Sequence, residues 1–342
     1  MDHNVSTPSA PPPPKGPSHD QASPPSWEHL DADALLVAKA IAEALPASIR
    51  ELGAEAAREL LASAPPDSPL TPLDRVEEVA VPTRAGQLRA RRYQPPRAQT
   101  MSPRPMLLYL HGGGFVLGTL DGVDEVRRAI TARSGWEVLS LEYRLAPEHP
   151  YPAALEDSLD TFTWLRESAG DLGIDPDLIA VGGDSAGGNL AAALCLSLRD
   201  RGLALPASQV LVYPAVDDRF ARPSWTQFAD APLLTAADAR WLWEQYVGSA
   251  RQGDVDQYAA PMKAASLHGL PPALILTAEV DPLRDDAEAY AERLRNDGVP
   301  TTSIRHSGVF HGFFTEVGVF GKTDVAIDDV VRHLRGIASA RH

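Results

Sequence analysis

Short apolar runs recur along this chain, and longer amphipathic stretches separate them. Met106–Leu110, Val138–Tyr143, Leu178–Val181, Gln209–Tyr213 and Ala273–Thr277 read as strands, and Thr301–Arg305 as a last short one. The near-continuous hydrophobicity of all but the last predicts strands covered on both faces. Between them, Gly122–Arg133, Asp285–Asn296 and Asp324–Leu334 read as helices. So does Ala153–Glu167, with Leu155, Leu159, Phe162 and Leu165 on one face. Earlier, Val76–Pro82 and Gln87–Tyr93 flank Arg84-Ala85-Gly86 as an antiparallel pair. Eight strands alternating with helices predict an α/β fold: a mostly parallel eight-stranded sheet flanked by helices.

Two regions depart from this rhythm. Residues 1–27 are rich in Pro and Ser and too poor in apolar residues to offset ordering, which predicts a disordered tail. Residues 28–75 then turn helical. Asp31 or Asp33 is a candidate cap for a helix carrying Leu35, Ala38, Ile41 and Leu45. A second helix is expected from Ala47 to Ser63, stopped by Pro65-Pro66. Residues 217–256 contain no strand, but they contain aromatics and a helix over Ala236–Tyr246. An insertion between two late strands, at the end where strands deliver site residues, reads as a cap. Together with the helices of 28–75 it would roof a catalytic domain made of 76–216 and 257–342.

Composition narrows the partners. The formal net charge is −15 over 342 residues, which argues against nucleic-acid and anionic-membrane binding. One cysteine, Cys195, excludes an internal disulfide. No apolar stretch approaches the roughly 18 residues of a membrane span, and the N-terminus lacks a basic start and an apolar core for a secretory signal. A cytoplasmic location is expected.

The chemistry begins at Gly183-Asp184-Ser185-Ala186-Gly187, between the Leu178–Val181 run and a helix-like stretch. Gly-x-Ser-x-Gly in that context is a nucleophile elbow, a sharp strand-to-helix turn that exposes one serine hydroxyl. His111-Gly112-Gly113-Gly114-Phe115 directly follows the Met106–Leu110 strand. Successive glycines let backbone N–H groups approach a developing oxyanion. Gly112, Gly113, Gly114 and Ala186 are therefore candidate oxyanion-hole residues, with the donors expected at Gly113, Gly114 and Ala186. A phosphate-cradling role is disfavoured, since no Gly-Lys-Ser/Thr follows. A serine needs a base, and the base needs a carboxylate. His311, in Phe310-His311-Gly312-Phe313, is preferred over His306. Asp281 is preferred as the acid. Asp217 and Asp218 compete with it, whereas Asp285 and Asp286 are expected to cap a helix.

Three stretches together closely resemble the hormone-sensitive-lipase-like esterases (bacterial family IV) of the α/β-hydrolase superfamily: His111–Phe115, Gly183–Gly188, and Asp281-Pro282-Leu283-Arg284-Asp285 with His311-Gly312-Phe313. Tyr143–Ala154 also looks like a family signature, with a role in bracing the floor of the site. The resemblance spans roughly residues 30–335. It implies an α/β-hydrolase fold with a helical cap and a Ser185–Asp281–His311 triad. It also implies hydrolysis of short- to medium-chain acyl esters, with no metal and no cofactor. The expected partner is a small-molecule ester, and a homodimer is left open. Phe115, Leu117, Phe220, Trp225, Phe228, Leu233 and Phe313 are candidate pocket walls that could equally be core. Deacetylation or amide hydrolysis by the same triad, or a non-catalytic ligand-binding role on this fold, are the alternatives.

Overall fold

A computed structural model describes residues 24–45, 47–62, 70–96, 103–248 and 255–340. Its strands are β1 (Arg75–Thr83), β2 (Gly86–Gln94), β3 (Arg104–Leu110), β4 (Glu137–Leu141), β5 (Ile174–Asp184), β6 (Gln209–Val212), β7 (Ala273–Val280) and β8 (Thr301–Phe310). They form one sheet in the order β1-β2-β4-β3-β5-β6-β7-β8. β1 and β2 are antiparallel, as is the β2–β4 pair, and every other neighbouring pair is parallel.

The helices are α1 (Ala32–Ala44), α2 (Ile49–Ala62), α3 (Asp124–Ser134), α4 (Ala153–Glu167), α5 (Ala169–Leu172), α6 (Ala186–Asp200), α7 (Ser224–Gln227), α8 (Ala236–Val247), α9 (Arg284–Asn296) and α10 (Gly321–Ser339). Side chains alternate across each strand. On β3, Leu108 and Leu110 therefore join the core under α4, α6 and α9, while Leu107 and Tyr109 join the core under α3 and α10. Burial on both faces is why β3, β4, β6 and β7 read as apolar runs, while β1, β2 and β8 are partly exposed.

A third apolar cluster lies over the strand ends. Ala57 of α2, Trp225 of α7 and Leu242 of α8 meet Val116, Leu117 and Leu283 from loops of the sheet domain. Arg58 fastens α2 there, donating to the carbonyls of Val116 and Ala146 at 2.7 Å each. The two N-terminal helices thus part company. α2 lies against α8, whereas α1 packs on β8 and buries Ala34 and Ala38 rather than the full Leu35–Leu45 face. The cause is edge geometry: the Asp31 N–H donates to the Gly308 carbonyl at 2.8 Å and fixes how α1 sits. The Asp31 side chain makes no cap bond and pairs instead with Lys322.

Other differences are local. Residues 24–27, expected in the tail, enter a 3₁₀ turn over Pro25–His29, because the Trp27 indole N–H finds the Asp230 carbonyl at 2.9 Å. Residues 1–23 and the Pro65-Pro66 stop lie outside the described residues. α2 kinks at Gly53, with φ 78°. β8 runs five residues beyond Arg305, through a bulge where Gly308 takes φ 71°. Among the described residues no helix is long and apolar enough to cross a membrane.

Strand register assembles the site. Leu110 lies opposite Gly183, so the loop after β3 emerges beside the turn after β5. Val280 lies opposite Phe310, so the residues that follow, Asp281 and His311, leave adjacent strand ends together. All four segments leave the sheet at its carboxyl edge, the usual place for a ligand site in open α/β sheets.

Candidate active site

The turn after β5 is tight enough to dictate its residues. Ser185 takes φ 54° and ψ −116°, a left-handed conformation that non-glycine residues rarely adopt. A Cβ on Gly183 would lie 2.1 Å from the Leu110 carbonyl oxygen, and one on Gly187 only 1.8 Å from it. Both glycines are therefore demanded by the closeness of β3. The Ser185 N–H donates to Val212 O at 2.8 Å and holds the strained residue against β6.

The Ser185 hydroxyl lies 2.9 Å from His311 Nε2, and His311 Nδ1 lies 2.7 Å from Asp281 Oδ2. Asp281 accepts only, so Nδ1–H donates to it and Nε2 is left as an acceptor facing the hydroxyl. The other Asp281 oxygen accepts the Leu283 N–H at 2.8 Å, which fixes the carboxylate plane. Asp281 is completely buried, and Ser185 and His311 nearly so. Tyr213 lies against the imidazole, with ring centroids 4.4 Å apart. The competitors are engaged elsewhere. Asp217 pairs with Arg219 at 2.7 Å and Asp218 with Lys263 at 2.6 Å. His306 packs against Phe313 and Asp329, and burial lowers its pKa.

In the loop after β3, Gly113 and Gly114 adopt φ 108° and 61°. Among the described residues, the N–H groups of Gly113, Gly114 and Ala186 have no acceptor in the protein. Gly112 differs. Its N–H donates to Asp184 Oδ1 at 3.1 Å and is not available to an oxyanion. The same oxygen takes the Tyr109 hydroxyl at 2.7 Å. Asp184 is thus the post to which the glycine loop is tied, and burial raises its pKa against the pull of Tyr109. Sequence reasoning passed over it because it occupies a free position of Gly-x-Ser-x-Gly. His111 is part of the same brace. Its ring stacks on Tyr143 at 4.2 Å, its carbonyl accepts the Tyr143 hydroxyl at 2.7 Å, and burial lowers its pKa to about 4. It is a neutral structural imidazole at neutral pH.

Comparison with known proteins agrees with this fold. Residues 107–315 match a family model described as the alpha/beta hydrolase fold. The chain belongs to that family. It is similar to the carboxylic ester hydrolase LipN of Mycobacterium tuberculosis, 40% identical over 76% of this chain and 70% of the relative. It is also similar to an ethyl acetate hydrolase of Pseudomonas putida, 37% identical over 77% and 83%. Among solved structures, an esterase of Pyrobaculum calidifontis superposes with a TM-score of 0.79 at 36% identity, covering 90% of this chain and 99% of that one. The hormone-sensitive-lipase-like character expected from the motifs holds.

Of the candidate pocket walls of this α/β-hydrolase, three take the core alternative. Phe115, Phe228 and Phe313 show almost no surface. Phe115 stacks face to face on Tyr246 at 3.6 Å, while Phe228 and Phe313 sit in the core under α3 and α10. Each ring is covered by a neighbour: Phe115 by α8, Phe228 by His29 and Arg284, and Phe313 by Tyr213 and His306. Phe220 packs edge-on against Trp225 at 4.8 Å, and the Trp225 indole N–H donates to Asp286 at 2.7 Å. Trp225 also borders a cavity of about 530 Å³ between α2 and α8 that Ser185, Asp281 and His311 do not line. Leu117 and Leu233 stay close to the catalytic loops. Leu242 on α8, which no spacing pointed to, rests where a Gly114 side chain would be. Asp285 and Asp286 do not cap α9. They reach into the cap instead, where Asp285 accepts the Ser224 N–H at 2.9 Å. Ser224 in turn donates its hydroxyl to the Pro282 carbonyl at 2.7 Å, directly beside Asp281.

Proposed function

We infer that this chain is a serine carboxylesterase that cleaves short- to medium-chain acyl esters through an acyl-enzyme. The observation that carries this reading is the unbroken line Ser185 Oγ–His311–Asp281, beside which the N–H groups of Gly113, Gly114 and Ala186 have no acceptor among the described residues. His311 Nε2 takes the Ser185 proton as the oxygen attacks the ester carbonyl. The three N–H groups receive the charge that develops on the carbonyl oxygen, in a site from which water is largely excluded. Asp281 stabilises the imidazolium without taking its proton. His311 then protonates the departing alcohol, and water repeats the sequence on the acyl-enzyme.

The substrate range rests on the roof. Leu117, Leu234, Leu242 and Trp225 form an apolar cluster across the strand ends, which suits a compact ester better than a long chain at a lipid interface. Names of relatives fit small esters as well. In this reading residues 217–256 and α2 form the cap, and the acidic chain with its one buried cysteine works in the cytoplasm.

The test is turnover of p-nitrophenyl acetate, octanoate and palmitate by the purified protein. Acetate and octanoate should be hydrolysed and palmitate scarcely, with Ser185→Ala at least about a thousandfold slower. A folded protein that turns over none of the three would overturn the reading.

A further inference from the structure

Among the described residues five non-glycine residues adopt left-handed backbone, and one of them, Leu233 at φ 63°, lies on the cap rather than on the sheet domain's own catalytic turns and still touches the catalytic machinery. A Cβ placed on Gly312 would come within 2.5 Å of Leu233 Cδ2, so the leucine rests directly on the residue after His311. Gly312 is itself at φ 94°. Leu233 is half-buried, whereas its neighbours Ala231, Pro232 and Leu234 are buried. It therefore rests on the residue after His311 while staying partly exposed.

The loop that carries it is built to hold it there. Ala236 N–H donates to Ala229 O at 2.9 Å and closes the loop's base, and Leu234 N–H bonds back to Pro232 O at 2.7 Å around Leu233. From outside, the Trp27 indole and the Ser26 hydroxyl both donate to the Asp230 carbonyl, at 2.9 and 3.3 Å. A β-carbon in left-handed backbone is strained, and a strained leucine persists only where its surroundings over-determine it.

Chemistry identifies the part of the substrate that meets this side chain. The departing alcohol oxygen must lie within hydrogen-bond reach of His311 Nε2 to receive its proton. The alcohol half of the ester is then the half beside His311 and Gly312. The acyl half must lie elsewhere around the tetrahedral centre. We propose that Leu233 is a specificity-determining residue that limits the size of the alcohol group, and that the Pro25–His29 turn, strapped over its loop, holds the limit in place. The proposal rests on the esterase reading above.

The experiment uses the full chain and two substrate series. One varies the alcohol at constant acyl group (methyl, benzyl and menthyl acetate, followed by acid release). The other varies the acyl group at constant alcohol (p-nitrophenyl acetate, butyrate and octanoate). Leu233→Ala and Leu233→Gly should raise the menthyl-to-methyl ratio of kcat/KM at least about tenfold, while the octanoate-to-acetate ratio moves less than about twofold. Trp27→Ala should shift the alcohol ratio in the same direction. Leu233→Gly should melt no lower than Leu233→Ala, since glycine relieves the left-handed strain. An unchanged alcohol ratio in both folded Leu233 variants, or a shift confined to the acyl series, overturns the assignment. Wild-type turnover of p-nitrophenyl acetate separates that outcome from failure of the esterase reading itself.

Discussion

Replacing Asp281 by Asn isolates the role of the buried carboxylate. Asp281 makes two bonds: it accepts His311 Nδ1–H at 2.7 Å and the Leu283 N–H at 2.8 Å. An asparagine fits the same space, and its carbonyl oxygen can keep the Leu283 bond. Its amide N–H₂ then faces Nδ1, which must become an acceptor. The imidazole proton moves to Nε2, and a protonated Nε2 cannot take the proton of Ser185. Folding should survive, because volume and one bond are kept. Turnover should fall by about ten-thousandfold, the scale of the same tautomer error in serine proteases, which corresponds to about 5 kcal/mol of transition-state stabilisation at 1.36 kcal/mol per decade. The assay is kcat/KM on p-nitrophenyl acetate at pH 8, with thermal melting as the folding control. A folded Asp281→Asn enzyme within tenfold of wild type would refute the reasoning. The case against it would be complete if Asp217→Asn or Asp218→Asn removed activity instead.

Two further predictions concern stability. Asp286 lies buried between Trp225 and Arg222, and its pKa rises from 3.8 to about 7. Burial is the main cause. The Arg222 Nε, 3.1 Å away, is not aligned to donate a hydrogen bond to it, and Asp217 adds like charge. The folded protein therefore holds a proton that the unfolded chain releases; that stability is full below pH 3.8 and lost as pH rises to about 7, a swing of at most about 4 kcal/mol. Asp286→Asn should escape it, so its melting temperature relative to wild type should climb between pH 4 and 7, and a flat difference would show the carboxyl to be ionised throughout. Gly187→Ala should cost at least about 3 kcal/mol in urea unfolding, since its Cβ would lie 1.8 Å from Leu110 O. Gly170→Ala, with open space around it, should be neutral or stabilising by about 0.5 kcal/mol, and equal effects at the two sites would count against the packing argument.

Much of this site was legible before any coordinates because strand ends are dictated by pattern. Two-sided burial makes the central strands apolar runs, and Ser185, Asp281 and His311 each stand one residue beyond a strand whose legible run stops three to five residues short of its end. The oxyanion loop was legible for the same reason, since three glycines after a strand have few other uses. What escaped has a common physical cause: loops have no period. Nothing in the spacing says that Phe313 turns into the core while Leu233 turns toward Gly312. Asp184 escaped because its importance lies in two bonds to β3 and the loop beyond it, 75 and 72 residues away in sequence. Trp27 escaped because it follows a Pro/Ser-rich stretch, and its partner at Asp230 belongs to the cap.

The central claim is that Ser185 is the nucleophile and that His311 makes it one. The direct measurement is labelling by diethyl p-nitrophenyl phosphate, read as released nitrophenol and by peptide mass mapping. One equivalent of nitrophenol per chain is expected, with the diethylphosphoryl group on Ser185 alone and labelling at least about a thousandfold slower in His311→Ala. Ester hydrolysis that continues with Ser185 unlabelled, or a label that forms equally fast without His311, would contradict it.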